Sequence, residues 1–359
     1  MSRKAYLILE NGTYFEGESF GAEKEATGEL VFTTAMVGYL ETLTDPSYFG
    51  QVVLQTFPLI GNYGVIPSDF ESETPALNAY ICRSWCQEPS NFRCQGDLDT
   101  FLRDKGVPGL CGIDTRALTK IIREHGVMNC KLTYTLDNME KDLEEIKAYE
   151  IKGAVENTSV KEVVKVETEN SEYNVVVLDL GAKQGIEEFL TDKNCSLTYV
   201  PYNTSAEDVI AMNPDGIVIS NGGGNPADYG NIAETIKAFC EKKIPMFGIG
   251  LGHQLLAMAN GATTEKLHYG HRGASQPAKN IETNDVYITT QNHGYAVVND
   301  SIPANAEVTF VNSNDGTCEG VEYTDMPAFS VQFRPQAGGG PRDTSLLFNK
   351  FVEMMEANK

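Results

Sequence analysis

Pro245-Met246-Phe247-Gly248-Ile249-Gly250-Leu251-Gly252-His253-Gln254 is the stretch on which the fold turns. Its apolar run at 246–249 predicts a buried strand, Gly250 a sharp turn, and the continuation through Leu255, Leu256 and Ala257 a helix. Strand, turn and helix in that order form a nucleophile elbow, in which the turn residue is held strained at the top of a sheet. Here the turn residue is Gly250. Without a Cβ it tolerates the strain, but it carries no atom with which to attack a substrate.

The surroundings repeat the same alternation. Largely apolar runs at 174–180, 197–200, 216–220 and 246–249 read as strands, and 185–191, 206–212 and 232–241 read as helices. A strand buried on both faces of a parallel sheet is expected to be apolar throughout. Strands alternating with helices imply right-handed crossovers and helices on both sides of the sheet. Ligands in such sheets bind outside the carboxyl ends of the strands. Three loops at those ends stand out: Ser220-Asn221-Gly222-Gly223-Gly224-Asn225-Pro226, the Gly250 turn, and residues 333–341.

The first part of the chain has a different texture. Residues 5–9 read as a strand, Asn11-Gly12 as a hairpin turn and 13–15 as the return. Further strands are expected at 30–35 and 51–57. Asp114 is placed to cap a helix over 116–124 that Gly126 ends. This half reads as α+β. Between about residue 142 and residue 173 the character changes, and 161–170 is charged with interspersed valines and without Gly or Pro. The expected division is a domain at 1–150, a linker at 151–172 and a second domain at 173–359.

At 359 residues and 41% hydrophobic composition the chain is long enough for two packed cores. A formal net charge of -22 and a pI near 4.6 disfavour binding to nucleic acid or an anionic membrane through a basic patch. No apolar stretch approaches the roughly 20 residues that cross a bilayer, and residues 1–9 lack the apolar core of a secretory signal. The eight cysteines are scattered, which fits reduced thiols in the cytoplasm better than a disulfide framework. Cys82, Cys86 and Cys94 have no nearby histidine and an irregular spacing, so they do not read as a zinc site. No metal or cofactor is expected on this chain.

The motifs make a specific match. Gly252-His253-Gln254, Gly270-His271-Arg272-Gly273, Gln291-Asn292-His293-Gly294-Tyr295-Ala296 and Phe329-Ser330-Val331-Gln332-Phe333 resemble a class I glutamine amidotransferase domain. With Gly28-Glu29-Leu30-Val31-Phe32, Leu43-Thr44-Asp45-Pro46-Ser47-Tyr48, Ile60-Gly61-Asn62-Tyr63-Gly64 and Gly112-Ile113-Asp114-Thr115-Arg116, nearly the whole chain resembles the small-subunit family of carbamoyl phosphate synthetases. The implied fold is α/β: an N-terminal α+β small-subunit domain, then an amidotransferase-like domain with a mostly parallel sheet flanked by helices.

Working members of that family split glutamine to glutamate and ammonia. A cysteine forms a thioester, a histidine moves protons and a glutamate orients it. The ammonia passes to a large synthetase subunit, which combines it with bicarbonate and ATP. Laid on this chain, the resemblance puts the nucleophile at Gly250, the histidine at Arg334 and the glutamate at Gln336. Glycine has no nucleophile, arginine stays protonated and accepts no proton, and glutamine carries no charge to stabilise an imidazolium. His253 and His293 match family positions outside the triad, and Cys240 belongs to the preceding helix. The resemblance also assigns glutamine contacts to Ser47, Gly222, Gly224, Leu251, Gln254, Asn292, Gly294 and Tyr295, with the amides of Gly222 and Leu251 as the oxyanion hole.

Plain structural readings compete. Gly222 and Gly224 serve a turn needing positive φ, Tyr295 packs, and Gln254 makes a local hydrogen bond. Gly223 and Asn225 stand where the family has proline and aspartate, and Gly338-Gly339-Gly340 makes the third loop pliable. Arg334 repels substrate, attracts a small anion or turns out to solvent. The expected function is a glutaminase-inactive small subunit, structural or regulatory, docking on the large subunit. The alternatives are an active glutamine-hydrolysing subunit and a glutamine or anion sensor. ATP and its metal ion belong to the partner, since no Walker-type loop occurs here. The setting is carbamoyl phosphate supply to pyrimidine or arginine synthesis.

Overall fold

The computed structural model describes residues 3–359. It forms two compact units. One ends at Lys152 and includes His268–Gly273; the other comprises Gly153–Leu267 and Ala274–Lys359.

In the first unit the strands Lys4–Leu9, Tyr14–Gly21, Pro108–Cys111, Ala79–Ile81, Gln51–Gln55, Ala26–Thr33 and Met128–Thr133 close into a barrel in that order. The last pairs back on the first, with Tyr6 opposite Thr133. Side chains sort with period 2, as strands require. Leu30, Phe32, Val52, Leu54, Ala79 and Ile81 join one core with Leu118 and Ile122. The intervening Val31, Val53 and Tyr80 join another with Tyr39, Leu43, Leu98 and Phe101. The helix Thr115–His125 begins as expected, with Asp114 accepting from the Ala117 N–H at 2.9 Å, and ends at Gly126, φ 86. Lys131 of the barrel is buried against two carboxylates, Asp142 at 2.8 Å and Glu145 at 2.6 Å. Burial works against its charge, but these hydrogen bonds outweigh that and hold its pKa above the ordinary value.

The second unit is built on a ten-stranded sheet among the described residues. Its parallel part runs Cys195–Pro201, Tyr173–Asp179, Gly216–Ile219, Met246–Ile249, Ala328–Val331. Both faces are buried, and alternation along each strand proves it. Val176, Leu178, Ile217, Ile219 and Met246 pack with Val209, Ile236 and Phe239 on one side. Val175, Val177, Val218, Phe247 and Ile249 pack with Ile186, Leu190, Phe348 and Phe351 on the other. The α/β architecture with flanking helices is therefore as expected. Beyond Ala328–Val331 the sheet continues antiparallel through Cys318–Tyr323 and Ala306–Asn312, which alternation of strand and helix did not reveal.

Residues 151–172, expected as a linker, instead carry elements of the second unit. The helix Ala154–Thr158 puts Val155 into the core. Val164–Val166 adds an antiparallel edge strand, with Val164 opposite Tyr199. The valines among the charges of that stretch are the physical reason: short as it is, the strand has a sheet edge to pair with. No helix among the described residues is long and apolar enough to cross a membrane.

Candidate functional site

The parallel strands bring their carboxyl ends together, and the elbow lies there. Gly250 follows the strand Met246–Ile249 and caps the helix Leu251–Ala259 with φ 59, ψ -111. That conformation is closed to L-residues without strain of about 1–3 kcal/mol. It is locked in place from three sides. The Gly250 N–H donates to the Val331 carbonyl at 2.9 Å, its carbonyl accepts from Gln254 N–H at 3.2 Å, and Gly252 N–H donates to Ser220 O at 3.1 Å.

The three glycines of this turn are glycine for different reasons. A Cβ on Gly252 would fall well inside contact distance of the Ile219 carbonyl, and one on Gly248 would lie 2.9 Å from Gly252 O and 3.0 Å from Ser330 Cβ. Both are needed so that helix and strand approach closely. A Cβ on Gly250 would meet Asn221 Cβ at 3.4 Å and Gln332 O at 3.9 Å, which is ordinary contact. There is space for a Cβ at Gly250, so its backbone conformation and not crowding is what favours glycine there.

Around it the other two loops are held firmly. Asp179, buried, accepts from the N–H groups of Gly181 and Ala182 at 2.9 and 2.7 Å and from Val160 N–H at 2.7 Å. Asn221 donates to Gly181 O at 2.7 Å and accepts from Lys183 N–H at 3.3 Å. Gly222 has no room for a Cβ against Leu180 O, and a Cβ there would also lie 2.9 Å from Leu251 Cδ2. The two proposed oxyanion-hole residues are thus neighbours, and Leu251 supplies the first N–H of a helix, which has no intrahelical acceptor. Gly224 needs its glycine, at φ 92 and with Tyr229 Oη only 2.7 Å from where a Cβ would stand. Asn225 caps the following turn, accepting from Ala227 N–H at 3.1 Å.

The third loop carries Arg334 and Gln336, the positions to which the resemblance assigns the histidine and the glutamate. Arg334 is only 3% exposed, so it does not turn out to solvent. Its N–H donates to Thr290 O at 3.0 Å. Gln336 is equally buried, packs its Cβ and Cγ against Gly185, and neither polar atom of its amide makes a hydrogen bond among the described residues. Gln332 accepts from Gln254 Nε2 at 2.8 Å, while its own Nε2 is likewise without a partner there. Buried amides left unsatisfied cost about 1–3 kcal/mol each.

The cysteines of this unit are buried or half-buried thiols. Burial pushes the Cys240 thiol up to about 11 and those of Cys195 and Cys318 up to about 12, so none is a thiolate at neutral pH. His253 and Ser330 form a buried pair at 2.8 Å, Nδ1 to Oγ. It resembles a hydrolase dyad, but both residues are fully buried and the imidazole pKa is pushed down to about 3 by burial. The pair ties helix to strand. Both ring nitrogens of His293 are engaged, with Tyr295 O at 2.8 Å and Gln291 Oε1 at 2.9 Å.

Of the remaining assigned positions, Gln254 donates to Tyr295 O at 2.7 Å, so its hydrogen bonds join the helix to distant strand and loop segments rather than being local. Asn292, Gly294 and Tyr295 lie close together on the strand Val286–Val297, half-buried. Ser47 belongs to the first unit, buried in the turn Pro46–Tyr48 with its N–H on Asp45 Oδ1 at 2.9 Å. Sequence reasoning missed Asp179, Asn221 and Ser330. An aspartate at a strand end two residues before a glycine was a visible signal; the serine's partnership across the chain was not.

Two families match this chain: "Carbamoyl-phosphate synthase small chain, CPSase domain" over residues 7–132 and "Glutamine amidotransferase class-I" over residues 176–354. A carbamoyl phosphate synthase small chain from Clostridium perfringens is 46% identical over 350 residues, covering 98% of this chain and 99% of that one. One from Staphylococcus epidermidis is 45% identical over 358 residues, covering 99% and 97%. Among solved structures, a glutamine amidotransferase from Thermotoga maritima aligns over 52% of this chain and 83% of that one, with 20% identity and a TM-score of 0.38.

Proposed function

We propose that this chain, which belongs to the carbamoyl phosphate synthase small-chain family, is a pseudo-glutaminase that acts as a structural or regulatory partner of the large synthetase subunit. Gly250 carries the reading: an elbow with room for a side chain and nothing on it. Thioester chemistry needs a nucleophile activated by a neighbouring base. A permanently protonated guanidinium at 334 cannot be that base, and a neutral amide at 336 cannot stabilise its charged form. The three changes reinforce one another, since losing one triad member in a hydrolase already costs several orders of magnitude.

In this reading ammonia reaches the synthetase from solution, ATP and its metal ion bind the large subunit, and carbamoyl phosphate serves pyrimidine or arginine synthesis. Eight unbridged cysteines support a cytoplasmic setting. A second reading, in which the same site binds glutamine or a small anion, is favoured by one observation: the buried cation Arg334. The active-glutaminase reading rests on the whole-chain likeness and on the match to the class I glutamine amidotransferase family over residues 176–354.

The test is to purify the chain with a cognate large subunit and assay carbamoyl phosphate synthesis with ammonia and with glutamine. A complex active with ammonia alone supports the proposal. Glutamine-supported synthesis contradicts it. Absence of a complex, with glutamine or phosphate binding the isolated chain, moves the reading to the sensor.

A further inference from the structure

In the second unit a cavity of about 510 Å³ opens between the antiparallel strands and the last helix, Leu346–Ala357. That volume falls within the range of small-molecule sites, about 300–1,000 Å³. The helix is seated by Phe348 and Phe351, whose rings lie 5.6 and 5.9 Å from that of Phe247. Its first turn forms one wall. The strand Ala306–Asn312 and the hairpin turn after the strand Thr264–Asn280 form the other.

The floor is apolar and ordered. Phe310 and Leu347 are buried in the core under that helix, and the Tyr287 ring meets Phe310 edge-on at 6.3 Å. At the rim Ile281 and Leu346 are 45% and 47% exposed. The hairpin turn is built in advance. Asn280 Oδ1 accepts from the N–H groups of Glu282 and Thr283 at 2.9 and 3.1 Å. Ile281 N–H donates to Thr309 O at 2.9 Å, which sets the turn alongside the strand that carries Glu307. A wall already ordered lowers the entropic cost of binding.

The polar lining is made of acceptors. Glu307 stands directly opposite Glu322 on the strand Cys318–Tyr323, and like charges so placed repel. Lys350, the cation of the lining, is committed to Glu322 at 2.7 Å and lies over the Phe329 ring at 4.8 Å. Glu307 and Glu282 are exposed and make no ion pair among the described residues. Three carboxylates against one ammonium leave the cavity short of positive charge. Thr344, only 3% exposed, lines the same cavity with a hydroxyl that makes no hydrogen bond among the described residues. Buried hydroxyls are ordinarily bonded.

We propose that this cavity is a binding site for a small organic cation, an ammonium or guanidinium carried on a compact apolar or aromatic body. The apolar floor takes the body. The head brings N–H donors and no acceptor, which complements the carboxylates of Glu282 and Glu307 and the Thr344 hydroxyl. A carboxylate-bearing ligand of the same shape is repelled by the same groups. The cavity uses no residue of the Gly250 elbow, so it stands or falls independently of the pseudo-glutaminase.

The test is titration calorimetry of the full chain at neutral pH with three ligands of like shape and different charge: 2-phenylethylamine, 2-phenylethanol and 3-phenylpropionate. The amine is expected to bind saturably with a dissociation constant of about 1 mM or below. The alcohol and the acid are expected to bind about tenfold more weakly or not at all. Glu282→Gln combined with Glu307→Gln should weaken the amine about tenfold, and Thr344→Val, which keeps the volume, about threefold or more. Glu234→Gln, exposed on the helix Gly230–Glu241 and outside the cavity lining, should leave it unchanged. Melting temperatures are recorded for each, and the double glutamine variant, altered only at exposed positions, should melt with the wild type. No saturable binding of the amine overturns the proposal. So does binding that the acid matches, that the double glutamine variant retains in full, or that Glu234→Gln weakens equally.

Discussion

The substitution Gly250→Cys separates scaffold from chemistry. At φ 59, ψ -111 a side chain costs roughly 1–3 kcal/mol of strain, offset by about 0.4–1 kcal/mol from the lost freedom of the unfolded chain. Nothing is added for crowding, because the nearest atoms to a Cβ lie at 3.4–3.9 Å. The net loss should be about 0–2.5 kcal/mol by urea unfolding. Gly252→Ala, whose Cβ would strike the Ile219 carbonyl, should lose about 3 kcal/mol or more. The new thiol would stand at the N-terminus of the helix Leu251–Ala259, where thiol pKa values fall to about 7.5 or below. At pH 7 about a quarter or more is then thiolate, against on the order of one in ten thousand for a thiol held near 11, such as Cys240. Iodoacetamide labelling with peptide mapping should find position 250 modified well before Cys195, Cys240 or Cys318. Glutamine turnover should still be absent, and should return when Arg334→His and Gln336→Glu are added. Labelling at 250 no faster than at Cys240, or a stability loss equal to that of Gly252→Ala, would refute the claim that the elbow survives as a shaped but empty seat.

Two further perturbations probe the supports. His253 is neutral in the folded chain, with a pKa near 3, whereas the unfolded chain takes up a proton below about 6.5. Its contribution to stability is therefore complete above about pH 6.5 and is lost as pH falls towards 3, about 2 kcal/mol of it by pH 5. His253→Gln should flatten the fall in urea stability between pH 7 and pH 5 by that amount, and parallel profiles would contradict the burial argument. Lys131→Met strands the buried carboxylate of Asp142 and should cost about 3 kcal/mol. Adding Asp142→Asn should recover part of it, and a coupling energy near zero in the double-mutant cycle would show that the pair does not act as one.

What could be read from the sequence was what is local. The elbow, its glycines and the strand–helix alternation each show within a dozen residues, because period and turn chemistry are short-range signals. The barrel did not show, since the parallel pairing of Glu29 with Gln51 and the closure of Tyr6 on Thr133 join distant segments. The edge strand Val164–Val166 was hidden by its charges, which suit a half-exposed edge. In the site, the triad positions rest on resemblance alone. The distinction between Gly250, glycine by conformation, and Gly252, glycine by space, needed coordinates. So did the burial of Arg334, because nothing in a lone arginine says which way it points.

The measurement that bears most directly on the central claim is glutamine hydrolysis by the wild-type chain saturated with its large subunit, against a heat-killed control. The account predicts glutamate release indistinguishable from the control while ammonia still supports carbamoyl phosphate synthesis in the same tube. Turnover above the control that is abolished by Asn292→Ala would contradict it, and would demand a nucleophile at a position other than 250.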